Sequence, residues 1–520
     1  MNGEAVYEGI FMKGIDERML FNLSNELLPD LPAYTGGRMS EHLYNGGLGR
    51  HALMNASHPE HPEWDQMNGM IARYKRSGFA TQSTAYAGVE TVRLTDGVSR
   101  FEVEKMGIDD HFLVKAVRQY AAHWGDQEDS PSLTRVVTET TEQDFATYVE
   151  LLCQKGFSVT WENRSDDNVF YELRKGKRLI YAAYVSRTNT ARFTDDPVSS
   201  PLRDFGDTSA SADGTMQLCQ FGMLYYPCTD VTMDAGMMYL LKLPDNSIFV
   251  VDGGACEQSN DATCAELMYV MRRLSRAPED QPVRIACWFC THGHDDHIDL
   301  FSKFLRVYHN QVTVERLMFN FPSFDHYILR YEMFVLFDRF HDYCPNALYL
   351  KPHMGQCFDL AGVHFEVLQA HEDLVGAHGD EVSQYLNDTS TILKVSYDGA
   401  SFTLLGDMGK RGEDALIAGH SKEALQCTAL QVAHHMYNPL RELYNVVKPE
   451  IALIPTSARY AIASKPTPCR ESFEYVCRMV PLQNQYYASV ATDVFMAKDG
   501  HFELVDRLPI IGGIFVGSLV

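Results

Sequence analysis

The spacing of apolar and polar positions is clearest in the second half of the chain. Met237 to Leu243 and Ser247 to Val251 are apolar runs joined by Pro244-Asp245-Asn246, which predicts two strands around a tight turn. The second run ends in Asp252-Gly253-Gly254. From Ala262 to Leu274, the residues Leu267, Val270, Met271 and Leu274 recur at helical spacing. Val283 to Cys290 is short and mostly apolar, the pattern of a buried strand, and Ile298, Phe301, Phe304 and Leu305 then return to a helical period. Val363 to Leu368, Ser401 to Leu405 and Ala429 to Ala433 predict further strands. Strands alternating with helices predict an α/β class for this half.

The first half is organised differently. Thr141 to Lys155 places Phe145, Tyr148, Leu151 and Leu152 on one helical face, with Gly156 as its stop. Phe157 to Trp161, Val169 to Arg174 and Leu179 to Val185 predict strands separated by the polar turns Ser165-Asp166-Asp167-Asn168 and Lys175-Gly176-Lys177. The aromatics Phe170, Tyr171, Tyr181 and Tyr184 in these strands read as core. Asp195 to Gly214, rich in Pro, Ser, Asp and Gly, reads as a linker. Three units follow: residues 1–139 with no assigned role, a small α+β accessory module over 140–200, and a larger domain over 215–510. The patch His58-Pro59-Glu60-His61-Pro62 in the first unit reads as a proline-punctuated loop rather than a metal site.

Composition narrows the function classes. The 520 residues are 45% hydrophobic and 22% charged, ordinary for a folded soluble protein with a large core. A net charge of -24 argues against a protein that grips nucleic acid across many phosphates. No stretch approaches the roughly 20 apolar residues of a membrane helix, and the tail from Leu508 to Val520 is broken by Gly512, Gly513 and Gly517. The twelve cysteines lack any short regular spacing, and Met1 to Leu20 lacks the apolar core of a signal peptide. Free thiols in a reducing cytoplasm are the expectation. Nothing in the chain fixes an oligomeric state.

The strongest chemical signal is Thr291-His292-Gly293-His294-Asp295-Asp296-His297. Directly after a strand the backbone is still extended, so His292 and His294 point to one side, and Gly293 allows a sharp path between them. Asp296 and His297 then fall in the first turn of the following helix, facing back toward them. Four ligands from six residues thus converge, and imidazole with carboxylate suits Zn²⁺, Mn²⁺ or Fe. With only 20 histidines in the chain, three within six residues at a strand–helix junction point to metal.

This run resembles the His-x-His-x-Asp-His signature of the metallo-β-lactamase superfamily, and Asp252-Gly253-Gly254 resembles the Asp-Gly-Gly many members carry upstream of it. Flavodiiron-type electron-transfer members usually show Glu where His294 stands, so the resemblance is to the hydrolytic branch. Gly406-Asp407-Met408, after its strand, is similar to the Gly-Asp that supplies the family's bridging carboxylate. The order strand, Gly-Asp, helix, strand, His434-His435-Met436 resembles the hydrolase part of competence-type DNA-uptake proteins and the phosphorylcholine esterases, whose motif usually ends in Gly where Met436 stands. The resemblance covers about Thr215 to Asp506.

What the resemblance implies is a four-layer αββα metallo-β-lactamase sandwich preceded by an N-terminal α+β accessory region. It implies two divalent metal ions, zinc first, with Mn²⁺ or Fe as alternatives. One would be held by His292 and His294, with His371 as third ligand; the other by Asp296, His297 and His435; and Asp407 would bridge them. Either His434 or His435 can be the ligand, with His435 favoured and His434 placed near the substrate. The segment Gln369-Ala370-His371 lacks the usual Pro-Gly-His, and Asn387 or Asp388 is the alternative to His371. The implied reaction is hydrolysis by a metal-bound hydroxide, with Asp296 moving a proton. A phosphoester or phosphodiester of a small soluble substrate is expected, against an amide or thioester, or a metal-stabilised binding protein without catalysis. No nucleic-acid or membrane partner is expected.

Overall fold

The computed structural model describes residues 132–176, 178–196, 214–223, 236–255, 260–321, 340, 343–374, 386–461 and 469–510, together with six strands between residues 38 and 116. The His58/His61 patch and the stretch 197–213 lie outside the described residues. No described helix is long and apolar enough to cross a membrane.

In the first half, the helix Glu142–Gln154 begins where the Thr141 side chain accepts the Asp144 amide. That cap satisfies one of the donors a helix start leaves open. The helix buries Phe145, Tyr148, Val149 and Leu152 against a mixed set of aromatic and β-branched strand residues, among them Val137, Val169, Tyr184 and Phe193. The sheet beneath it has six strands, in the order Arg38–Tyr44, Ser132–Thr138, Thr190–Asp196, Arg178–Val185, Asn168–Lys175, Ser158–Ser165. It therefore crosses the division expected at residue 139, because Arg38–Tyr44 and Ser132–Thr138 pair with each other and Ser132–Thr138 pairs with Thr190–Asp196. A chain segment too polar to show a strand period by itself can still complete a sheet whose other strands supply the core. The five strands between, Leu53–Asn55 through His111–Ala116, form a separate antiparallel sheet.

The second half is α/β, as its patterning predicts, and contains two large sheets. The first runs Leu348–Leu350, Arg316–Met318, Val283–Phe289, Ile248–Asp252, Met238–Lys242, Gln217–Gln220, Thr492–Lys498, His501–Leu508, with Val312–Val314 paired alongside Val283–Phe289. The second runs Cys357–Leu360, Val363–Gln369, Ile392–Tyr397, Ala400–Leu404, Ala429–Gln431, Ile451–Ile454, Gln485–Tyr487. Successive side chains on a strand point to opposite faces. Accordingly Leu240 and Val250 pack outward on the helices Asp261–Ser275 and Asp295–Tyr308, while Tyr239, Leu241, Phe249 and Val251 face the other sheet. There they meet Phe365, Val367, Leu393, Phe402 and Leu404. The far face of the second sheet, through Ile392, Leu430, Ala452 and Ile454, packs on the helices Lys410–Gly419, Arg441–Val447 and Cys469–Met479. Both sheets are thus apolar on both faces, which is why their strands read as near-continuous apolar runs rather than alternating ones. Each fully buried Leu, Val or Phe in them contributes about 1.5–3 kcal/mol.

The accessory sheet docks onto the second half through specific contacts. Asn163 donates to Gly355 O at 2.9 Å, Asn168 to Gly419 O at 2.9 Å, and Tyr181 to Met354 O at 2.6 Å. Gly355 has φ +82°, and a Cβ there would sit 2.4 Å from the Phe170 ring, so glycine lets that ring lie flat on the backbone. Phe170 and Tyr181 are therefore core residues of this joint, as their pattern predicts.

Candidate metal centre

Within the first sheet, Ile248–Asp252, Val283–Phe289, Arg316–Met318 and Leu348–Leu350 are parallel. Their carboxyl ends therefore open on one edge, where ligands bind in sheets of this kind. Asp252 ends one of these strands, and the helix Asp295–Tyr308 starts over it with His294 as its N-cap. Close approach is possible because residue 253 is glycine. A Cβ there would lie 2.5 Å from Phe301 Cβ, and Gly253 O instead accepts the Phe301 amide at 2.9 Å.

Asp252 is fully buried and collects three donors. Its Oδ1 accepts the Thr291 amide at 2.7 Å, and its Oδ2 accepts the Thr291 hydroxyl at 2.8 Å and His297 Nδ1 at 2.7 Å. His435 Nδ1 lies 2.7 Å from Pro455 O, and a carbonyl only accepts, so Nδ1 carries the proton there. With their Nδ1 atoms committed as donors, neutral His297 and His435 both present a lone pair at Nε2. These two Nε2 atoms face each other 3.3 Å apart.

Two carboxylates close on the same point. His297 Nε2 is 3.1 Å from Asp407 Oδ1 and 3.8 Å from Asp296 Oδ1, and His435 Nε2 is 3.1 Å from Asp296 Oδ2 and 3.3 Å from Asp407 Oδ2. A tetrahedral ion with ligands at about 2.0–2.1 Å spans ligand-to-ligand edges of about 3.3–3.4 Å. The observed separations bracket that value. Asp407 Oδ1 is buried 3.1 Å from His297 Nε2 without well-formed hydrogen-bond geometry to it, a carboxylate oxygen an ion would satisfy. The donor set therefore fits a divalent cation. Asp296, His297, Asp407 and His435 form one potential ligand group, and His292, His294 and Asp407 form a second. In the second, His292 Nε2 is 3.0 Å from His294 Nδ1 and 3.9 Å from Asp407 Oδ2.

The electrostatics match this arrangement. Burial, reinforced by the neighbouring imidazoles of His297 and His294, holds His292 well below the usual histidine range, so it stays neutral with a lone pair to give. Burial opposes charge on His297 too, but Asp407, Asp252 and Asp296 outweigh it and push the ring well above that range. His435 is pushed up to about 10, with burial outweighed by Asp407 and Asp296. Burial would raise Asp296 and Asp407, yet His297 and His435 keep both carboxyls below the usual range. The centre thus demands positive charge, which protons or a cation can supply.

Asp407 is placed by the second sheet. Gly406 has φ +55°, and a Cβ there would come within 2.7 Å of Ser390 Oγ and 3.0 Å of Thr291 Cβ. Ser390 Oγ accepts the Asp407 amide at 3.0 Å, and Gln431 Nε2 donates to Gly406 O at 2.9 Å. His434, His435 and Met436 are successive left-handed residues with φ of 48°, 47° and 69°. That is costly for residues with a Cβ, and it turns His435 into the centre. His434 is turned differently. Its Nε2 lies 2.8 Å from Asn387 Nδ2 and its Nδ1 2.7 Å from Asn438 Nδ2, and it stands 3.9 Å from Asp407 Oδ2 outside both ligand groups.

The structure brings six of the expected ligands together: His292, His294, Asp296, His297, Asp407 and His435. His371 is not among them, a correction to its expected place as third ligand. Its Nε2 lies 2.9 Å from Asn320 Oδ1, in a buried network where Asn320 also donates to Glu372 and Glu372 pairs with His353. The reason is that His371 opens a 3-10 turn, His371–Leu374, instead of continuing the strand toward the centre. Asp388, one of the alternatives, turns away to accept the Gly409 amide at 2.9 Å before the helix Lys410–Gly419. Asn387, the other, clamps His434. The amides Asn320 and Asn438 carry no sequence signal of their roles, although Asn438 follows His434 by one turn.

No protein-family model matches this chain, and no curated protein matches it. Among solved structures, it is similar to CmlA, a diiron β-hydroxylase from Streptomyces venezuelae, with a TM-score of 0.30 and 12% identity over 58% of this chain. The match spans 55% of the length of that protein. A likeness of that size assigns neither a family nor a reaction.

Proposed function

We propose that residues 215–510 form a four-layer αββα metallo-β-lactamase sandwich and act as a metal-dependent hydrolase. The observation that carries the reading is that two ligand groups, Asp296/His297/Asp407/His435 and His292/His294/Asp407, share the single carboxylate Asp407. Helices and sheets stacked in the order helix, sheet, sheet, helix support the fold. Imidazole and carboxylate donors suit Zn²⁺, and also Mn²⁺ or Fe. Divalent ions held there supply Lewis acidity toward water and toward an electrophilic phosphorus or carbonyl centre.

The chain's own part in the reaction is positioning and proton handling. Asp252 and Pro455 O fix the tautomers of His297 and His435, so their Nε2 atoms face the centre without reorganisation. Asp296 is within reach of two imidazoles and takes or returns a proton at its carboxylate. His434, partly exposed and 3.9 Å from Asp407 Oδ2, is proposed to lie beside the substrate, its ring held in place by Asn387 and Asn438. The substrate we propose is a small soluble phosphoester or phosphodiester. We also propose a reducing, cytoplasmic compartment, in keeping with ten described cysteines in the thiol form.

The test is turnover by the purified, metal-loaded chain on phosphomonoesters, phosphodiesters, a β-lactam and a thioester. Chelator-sensitive hydrolysis of a phosphoester supports the proposal. Turnover confined to the lactam or thioester replaces the substrate class, and no turnover by a metal-loaded chain favours a metal-stabilised binding protein.

A further inference from the structure

The two ligand groups are unequal. The group Asp296/His297/Asp407/His435 offers four ligand atoms from four buried residues, two of them carboxylates. The group His292/His294/Asp407 offers three, from one carboxylate that the first group also uses, and His294 is partly exposed. Distances are similar in the two, 3.1–3.8 Å in the four-ligand group and 3.0–3.9 Å in the three-ligand group, so the number and burial of the ligands carry the difference.

The shells behind the ligands sharpen the contrast. His297 is held by a fully buried carboxylate that Thr291 pins through two further hydrogen bonds, and His435 by a main-chain carbonyl. Such outer partners raise ligand basicity and lower the reorganisation needed on binding. His292 has only a hydroxyl behind it, Thr291 Oγ1 at 3.1 Å. An ion in the four-ligand group neutralises both carboxylates. A second ion then meets a shared carboxylate already neutralised in part, and a like charge beside it.

We propose that the four-ligand group is a high-affinity site that fills first, and that His292/His294/Asp407 is a weaker, exchangeable site whose remaining positions are taken by water or a substrate oxygen. This rests on the metal reading above. It makes the half of the centre nearest solvent the half whose occupancy responds to free metal and to substrate.

The experiment is a Zn²⁺ titration of the full chain against a competing chelator, with elemental analysis for stoichiometry. Two binding steps are expected, the second weaker by at least about tenfold. His294→Ala should remove the weak step and keep the strong one. His435→Ala and the near-isosteric Asp296→Asn should remove the strong one, with far-UV circular dichroism confirming that each variant is folded. Two ions of indistinguishable affinity, or loss of the strong step in His294→Ala with its retention in Asp296→Asn, overturn the proposal. A folded wild-type chain that binds no Zn²⁺, Mn²⁺ or Fe²⁺ overturns the metal reading itself, and that outcome is separate from the other two.

Discussion

His297 Nδ1 lies 2.7 Å from Asp252 Oδ2, and both side chains are fully buried. One strand end thereby fixes the tautomer of a ligand that belongs to the next helix. Replacing Asp252 with Ala would strand three buried donors: the Thr291 amide, the Thr291 hydroxyl and His297 Nδ1. Leaving such groups unpaired costs about 1–3 kcal/mol each before relaxation. Asp252→Ala should therefore lower the midpoint of chemical denaturation clearly and weaken metal binding about 10–100-fold. Denaturant titration and metal competition check the two effects separately.

Met436 sits at φ +69° with its side chain fully buried. Truncation to Ala keeps the strained backbone and opens a cavity, a loss of about 2–5 kcal/mol. Truncation to Gly loses slightly more side chain but relieves strain of about 1 kcal/mol. Met436→Gly should therefore be no less stable than Met436→Ala, the reverse of the order in a regular helix or strand. Paired denaturation curves decide it.

The carboxyl of Asp373 is pushed up to about 6, chiefly by burial, against the pull of Arg192 and the Ala370 amide. An unfolded aspartate titrates near about 3.9. Between those values the folded chain holds a proton that the unfolded chain has released, so stability falls as pH rises through that window. The loss of stability across the window is about 2 kcal/mol once relaxation of the buried site is allowed for. Asp373→Asn should flatten that part of the stability–pH curve, read by denaturation at pH values spanning about 4 to 6.5.

How much of this was legible in sequence depends on how far apart the partners lie. His292 to His297 could be read directly because a strand end and a helix start bring neighbours in sequence together. Asp407 and His435 were legible because each closes an apolar strand, and parallel strands deliver such residues to one edge. His371 shows the limit. It also follows a strand, but one residue of backbone turning into His371–Leu374 sends it to Asn320 instead. The clamp on His434 was hidden for a different reason, since an amide fits almost any polar context and Asn387 and Asn438 announce nothing until the chain folds. The strands Arg38–Tyr44 and Ser132–Thr138 could not be assigned to the accessory sheet, because their pairing partners lie far along the chain.

Asp407 belongs to both potential ligand groups, His292/His294/Asp407 and Asp296/His297/Asp407/His435. The most direct test of that shared role is divalent-metal binding by the wild-type chain and by Asp407→Asn, side by side, with stoichiometry and affinity measured on the folded proteins. The wild type is expected to bind two ions, and Asp407→Asn to weaken both steps, each by at least about tenfold. Binding by Asp407→Asn indistinguishable from the wild type, or loss of one step alone with the other untouched, would contradict the shared role.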